Sequence, residues 1–283
     1  MVTLLHISDL HFGPPYVENV GEAVLRFAAG NASDIIVASG DFTQRAKEEQ
    51  FVAARAFLDR LPPVPLVVIP GNHDIPLYRF KERLLTPYAL YQQYISPDLE
   101  TVLRHPDAVI VALNTTAPLR AITNGRIEES QLDYCADAFR DAPEGAARIV
   151  VAHHPFAPAR DFDREGSHVM PRAKEAIDRF TELKVDLILG GHLHRAYIGN
   201  SLDLYSSKDR TSGIIIVQSG TSTSQRGRAR EREKNSLNII KVGDEVVRIT
   251  HYMFFHETGN FEPVSRHIFP RRSLHYFSDL HGA

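Results

Sequence analysis

Residues 2–11 read Val2-Thr3-Leu4-Leu5-His6-Ile7-Ser8-Asp9-Leu10-His11, and this stretch decides the fold. A β-prone, mostly apolar run stops at two groups that can bind a cation, Asp9 and His11. Val2–Ile7 reads as a strand with those two residues just past its carboxyl end. The same grammar continues outward. Val17–Ala29 carries apolar residues at helical spacing, and Asp34–Ala38 is a second strand running into Gly40-Asp41. Lys47–Leu61 reads as a helix with Phe51, Ala54, Phe57 and Leu58 on one face, broken by Pro62-Pro63. Leu66–Ile69 is a third strand, ending at Pro70-Gly71. Val109–Leu113, Arg148–Ala152 and Val185–Leu189 are further strands, with helices Glu128–Phe139 and Arg172–Leu183 before the last two. Alternating strands and helices predict an α/β domain with much parallel sheet.

The later part changes character. Gly213–Gln218, Leu237–Val242 and Glu245–His251 read as strands with little helix between them, and Val242-Gly243-Asp244-Glu245 reads as a hairpin turn. These strands predict a second, partly antiparallel sheet packed on the first. Pro76–Asp107 is longer and more polar, helical in part, and placed to overhang a site. Residues 1–260 are expected to form the domain. Residues 261–283, with Pro263, Pro270 and no clear period, are expected to be a C-terminal extension that wraps the surface or is partly mobile.

Composition narrows the classes. The chain has 283 residues, 43% of them hydrophobic, enough for a sizeable core. With 32 Lys+Arg against 35 Asp+Glu, the net charge of -3 disfavours nucleic acid as a partner. No apolar run is long enough to span a bilayer, and residues 1–5 do not read as a signal peptide. One cysteine, Cys135, permits no intrachain disulfide and fits a reducing cytoplasm. A homodimer is compatible with such a chain.

Five predicted strands end in loops rich in donors: Asp9-Leu10-His11, Gly40-Asp41, Gly71-Asn72-His73-Asp74, His153-His154-Pro155 and Gly190-Gly191-His192-Leu193-His194. Ligand sites in open α/β sheets lie beyond the carboxyl ends of strands, so the loops are expected to converge. Asp, His and Asn donors suit Mn, Fe, Zn, Co or Ni, and no thiolate is offered. In extended backbone, residues two apart face one way, so Asp9 with His11 and His192 with His194 could each present two donors to one side. A core in which these groups merely cap strands would need a separate reason for each buried polar side chain.

In this order, Asp9-x-His11, Gly40-Asp41, Gly71-Asn72-His73-Asp74, His153 and Gly191-His192-x-His194 resemble the five-motif signature of the calcineurin-like metallophosphoesterases, over Asp9 to His194. The His-His-Pro and Gly-His-Leu-His forms resemble the bacterial cyclic nucleotide phosphodiesterase branch. The resemblance implies two metal ions. Asp9, His11 and His194 would hold one, Asn72, His153 and His192 the other, and Asp41 would bridge them. It further implies a small-molecule phosphoester substrate attacked by a hydroxide held between the ions. His73 would protonate the leaving group or steady phosphoryl charge, and Asp74 would orient His73. The expected architecture is an α/β/β/α sandwich: two mixed sheets flanked by helices, with the dinuclear site at the strand ends. The same resemblance covers phosphomonoesterases, other phosphodiesterases and non-catalytic metal binders.

Other residues carry two readings each. His154 is a satisfied structural histidine or a substrate contact. Asn114 is a turn residue or reaches the site edge. Thr43 caps a helix or, with Arg45, meets substrate. Arg226, Arg228, Arg230 and Arg232 form a solvated loop, diluted by Glu231 and Glu233, or send one guanidinium to a substrate phosphate. Arg164 and His168 are similar candidates. Tyr197, Tyr205 and Phe156 pack or stack on a base. Ser278-Asp279-Leu280-His281 repeats Ser8–His11 without a strand before it and reads as coincidence.

Overall fold

A computed structural model of the chain describes residues 1–119, 124–157, 169–205, 213–227 and 234–271. The Arg164, His168, Arg228, Arg230, Arg232 and Ser278–His281 readings lie outside the described residues. Two six-stranded mixed sheets face each other. In the first, β1 (Val2–Ile7) pairs in parallel with β2 (Ile35–Ala38), and β2 with β3 (Leu66–Val68). On the other side of β1, β10 (Ser236–Val242), β11 (Val246–Phe255) and β12 (Asn260–Pro270) follow antiparallel. In the second sheet, β5 (Ala108–Leu113), β6 (Ala147–Ala152), β7 (Leu187–Gly190) and β9 (Ile215–Gln218) are parallel. Two antiparallel edges, β4 (Thr101–His105) and β8 (Tyr197–Asn200), close it.

Strand alternation builds the layers. Leu4 joins the core between the sheets, with Val37, Ile110, Val151 and Leu189. Its neighbour Leu5 faces the other way, towards α1 (Glu18–Gly30), α2 (Glu48–Leu58) and α4 (Ala89–Tyr94), whose Val24, Phe51 and Tyr91 bury there. On the second sheet α5 (Glu129–Arg140) and α6 (Ala173–Glu182) bury Leu132, Phe139, Ile177 and Phe180 against Val109 and Ile188. Each fully buried side chain of this kind contributes ~1.5–3 kcal/mol over leaving it in water. Helix α3 (Phe80–Leu85) buries no residue.

The expected sandwich is the observed one, but its strands are dealt differently. Gly213–Gln218 does not group with Leu237–Val242 and Glu245–His251. It runs parallel beside β7, whereas those two extend the sheet of β1. The expected turn is present, with Gly243 N–H donating to Val246 O at 3.0 Å. The polar stretch 76–107 holds α3 and α4 but also edge strand β4. Residues 261–270 belong to β12 and not to a surface wrap. Their period is masked because pairing skips Val264, from His251↔Ser265 to Tyr252↔Pro263. Proline is tolerated at such an edge.

Candidate metal centre

The donors sit where the strands stop. Asp9 and His11 follow β1, Asp41 follows β2, and Asn72 opens a 3₁₀ turn after β3. From the other sheet, His153 follows β6, and His192 and His194 follow β7. The loops are bonded to one another: Asp9 N–H donates to Gly40 O at 3.0 Å, His11 N–H to Asp41 O at 2.9 Å, and Gly191 N–H to His153 O at 3.1 Å. The backbone is not extended at these donors. Asp9 (φ 54°), His11 (51°), Asp41 (55°), His192 (76°) and His194 (52°) are left-handed, which corrects the alternation argument for how the paired donors share a side. Such conformations are held by their surroundings and cluster at functional sites. Gly71 lets two loops touch, since a Cβ there would lie 2.2 Å from Asp41 Oδ1.

Two groups of donors result. In the first, ligand atoms of Asp9, His11, Asp41 and His194 all lie within 4.8 Å of one another, and all four residues are buried. His194 Nε2 is 3.1 Å from Asp9 Oδ1, and His11 Nε2 is 3.6 Å from Asp41 Oδ2. In the second, His153 Nε2 lies 3.4 Å from Asp41 Oδ1 and 3.3 Å from Asn72 Oδ1. His192 Nδ1 lies 2.8 Å from that same Asn72 oxygen. The Asp41 carboxylate thus turns one oxygen to each group.

The chemistry of this set calls for a cation. His153 Nδ1–H donates to Ser39 O and His194 Nδ1–H to Arg226 O, each at 2.8 Å. A carbonyl only accepts, so in the neutral rings both Nε2 atoms face carboxylate oxygens with lone pairs, a clash that a proton or a metal ion relieves. Asp41 Oδ2 is buried with no hydrogen-bond donor among the described residues. Burial raises Asp9, but the facing His11 and His194 rings overcome it and hold its carboxyl well below the usual range. Burial drives His11 down to about 4 and His192 to about 3. Burial also lowers His153, yet the Asp41 and Asp9 carboxylates lift it to about 9. A proton on His153 does there what a metal ion would do between these groups.

Around this centre the structure sorts the remaining candidates. The His73 ring stands 4.9 Å from that of His11. Asp74 does not orient it, which corrects the expected pairing. His73 Nδ1–H donates instead to the carbonyl of Gln44 at 2.9 Å. Asp74 turns away and accepts from the N–H groups of Phe42 (3.2 Å), Thr43 (2.8 Å) and Gly71 (2.9 Å). Its burial and the Asp41 charge push it up to about 7, against the N–H groups that favour its charged form. Asp74 therefore ties the second loop to the third. Thr43 serves that tie through its hydroxyl and also accepts from Ala46 N–H at 3.0 Å. His154 is buried, with Nδ1 2.9 Å from Thr115 Oγ1 and its ring 4.7 Å from His192. Asn114 Oδ1 accepts from Thr116 N–H at 3.0 Å, so its carboxamide is engaged in a turn. Arg226 Nη1 donates to Gln44 Oε1 at 2.9 Å. Phe156 packs on Phe180, Tyr205 donates to the Phe156 carbonyl, and Tyr197 packs on the second sheet's outer core, so all three serve packing. Gln44 carried no signal in the sequence beyond standing three residues after Asp41.

The chain belongs to the calcineurin-like phosphoesterase family, whose model matches residues 2–196. Among individual relatives it is 25% identical over 165 residues to the 3',5'-cyclic adenosine monophosphate phosphodiesterase CpdA of Escherichia coli (strain K12). That match covers 57% of this chain and 54% of CpdA, so the chain spans about half the length of the curated relatives it matches. Among solved structures, purple acid phosphatase PPD1 from yellow lupin (Lupinus luteus) seeds superimposes with a TM-score of 0.70 at 13% identity, covering 100% of this chain and 55% of that one. The structure of PhoD superimposes with a TM-score of 0.65 at 12% identity, covering 93% and 71%. These two likenesses establish the fold. Among the described residues no helix is long and apolar enough to cross a membrane.

Proposed function

We propose that this protein is a metal-dependent hydrolase of phosphate esters, with two ions held around Asp41. The carrying observation is that carboxylate, buried between two sets of histidines with one oxygen towards each. Asp9, His11 and His194 would hold one ion, and Asn72, His153 and His192 the other. The Asp, Asn and His donors fit Mn, Fe or Zn. When bound, the ions would supply a Lewis acid for the phosphoryl oxygen and lower the pKa of water enough to provide hydroxide near neutral pH.

The chain's own residues do the rest. Ser39 O and Arg226 O fix the rings of His153 and His194, so these need no reorganisation when substrate arrives. Gln44 O fixes the His73 ring and leaves Nε2 as the atom that exchanges a proton with the leaving oxygen. Burial and the Arg226 charge lower His73, and the negative charge of a bound phosphate offsets that shift. Arg226 offers a guanidinium to the phosphoryl oxygens, and His154 lines the His192 side of the site.

The favoured reaction is phosphodiester hydrolysis, with a cyclic nucleotide as the leading substrate. Support comes from the likeness to CpdA and from the motif forms of that branch. We further propose a cytoplasmic setting, on the strength of a lone, buried Cys135. The test is side-by-side assay of the Mn²⁺-loaded protein on bis(p-nitrophenyl) phosphate, p-nitrophenyl phosphate and cyclic AMP. Diester turnover should exceed monoester turnover. His73→Ala should lower it by ~10²–10⁴-fold with metal content retained. Faster monoester turnover would replace the diesterase reading with a phosphomonoesterase, and bound metal without any turnover would point to a non-catalytic member.

A further inference from the structure

Gln44 touches both groups assigned to the substrate side of the centre. Its backbone oxygen accepts from His73 Nδ1–H and its side-chain Oε1 accepts from Arg226 Nη1, each at 2.9 Å. The residue is itself held. It is 8% exposed, and its N–H donates to Phe12 O at 3.0 Å. The next two N–H groups are taken by side chains, Arg45 N–H by Gln50 Oε1 at 2.8 Å and Ala46 N–H by Thr43 Oγ1 at 3.0 Å. Arg226 is held at its other end too, since its carbonyl accepts from the ligand His194 at 2.8 Å.

Resting on the phosphoester reading above, we propose that Gln44 is a positioning residue that sets Arg226 beside His73, so that one phosphoryl group meets both. An arginine side chain carries ~2 kcal/mol of rotamer entropy, and a tether made before substrate arrives removes part of that loss from binding. An amide provides the tether without adding charge. A carboxylate at the same place would also hold a guanidinium, but would set a negative charge where an anionic phosphoryl group arrives. The two tethers differ in kind. His73 hangs from the Gln44 backbone and survives side-chain substitution, whereas Arg226 hangs from the side chain and does not. Gln44 therefore acts on phosphate binding more than on the proton transfer.

The experiment compares Gln44→Ala, Gln44→Met, Gln44→Glu, Arg226→Ala and the double variant Gln44→Ala/Arg226→Ala in the full-length, Mn²⁺-loaded protein. Calorimetry reads the Kd of inorganic phosphate, and bis(p-nitrophenyl) phosphate kinetics read KM and kcat separately. Metal content is measured throughout. Gln44→Ala and Gln44→Met should weaken phosphate roughly tenfold, as expected for losing a hydrogen bond to a charged group, and raise KM more than they lower kcat. Gln44→Glu should weaken phosphate further. Once Arg226 is alanine, Gln44→Ala should add little, because the two act as one unit. Three results overturn the proposal: phosphate Kd within twofold of wild type in Gln44→Ala and Gln44→Met, additive effects in the double variant, or loss of metal in every Gln44 variant, which would make the residue structural. If wild-type protein binds metal but neither binds phosphate nor turns over substrate, the phosphoester reading itself fails and takes this one with it.

Discussion

Asp9, His11, Asp41, His192 and His194 hold left-handed backbone without being glycine, a strain of ~1–3 kcal/mol each that the loop-to-loop hydrogen bonds must offset. The identity of these residues was legible in the sequence, since each stands just past an apolar strand. Their backbone was not, because Asp and His, although enriched at positive φ, adopt it in only a small minority of places. The partner of His73 was illegible for a related reason. It is a main-chain carbonyl, that of Gln44, and any residue supplies one. Asp74, the neighbour that chemistry suggests, satisfies the N–H groups of another loop. A titration prediction belongs at this scale. Burial lowers His251 to about 4, and its Nδ1 is 2.8 Å from Asn238 Oδ1. Between its unfolded value of ~6.5 and about 4 the unfolded chain binds the extra proton, so stability is full above that window and falls as pH drops through it. The slope is at most ~1.4 kcal/mol per pH unit. Urea unfolding of wild type and His251→Gln, in the same metal state, should show a smaller acid loss in the variant. Parallel curves from pH 7 to 5 would refute the assignment.

At the scale of elements, the parallel strands and their helices were readable because each is apolar on both faces or has a clear stripe. Edge elements were not. Strand β4 is half-buried and lies in a polar stretch, and β12 has a bulge and two prolines. Both look like loop when only periodicity is read. The turns between elements carry the sharper prediction. Since a Cβ on Gly71 would lie 2.2 Å from Asp41 Oδ1 and 2.3 Å from its amide nitrogen, Gly71→Ala must part the second and third loops. Metal affinity should fall by ~10–100-fold, the range seen when ligand-orienting contacts are lost, while far-ultraviolet circular dichroism stays that of wild type. Wild-type metal affinity in Gly71→Ala would show that the loops tolerate separation.

Over the whole molecule, the two sheets share one centre at their carboxyl ends and, among the described residues, a buried ion pair at the other. Arg271, 5% exposed, donates to Asp186 Oδ1 at 3.0 Å and to the carbonyls of Gly243 and Gly145 at 2.9 and 2.8 Å. Asp186 precedes β7 in the second sheet, while Gly243 lies between β10 and β11 in the first. Removing one member of a buried pair leaves the other uncompensated, so Arg271→Ala should lower unfolding stability by ~3–5 kcal/mol in urea titration. A loss under 1 kcal/mol would mean the clasp is solvated in practice. The sequence did not disclose this clasp, nor which strands share a sheet, because an apolar strand buried on both faces does not name its neighbours. It did disclose the convergence of the loops, since the order of strand ends is independent of how the sheets divide them.

The centre at Asp41 carries the functional account, and counting metal ions tests it most directly. Purified protein loaded with Mn²⁺ and desalted should retain two ions per chain by elemental analysis, and Asp41→Ala should retain less than one, with no phosphodiester turnover. Two ions and normal turnover in Asp41→Ala, or a single ion in fully active wild-type protein, would contradict a centre bridged by that carboxylate.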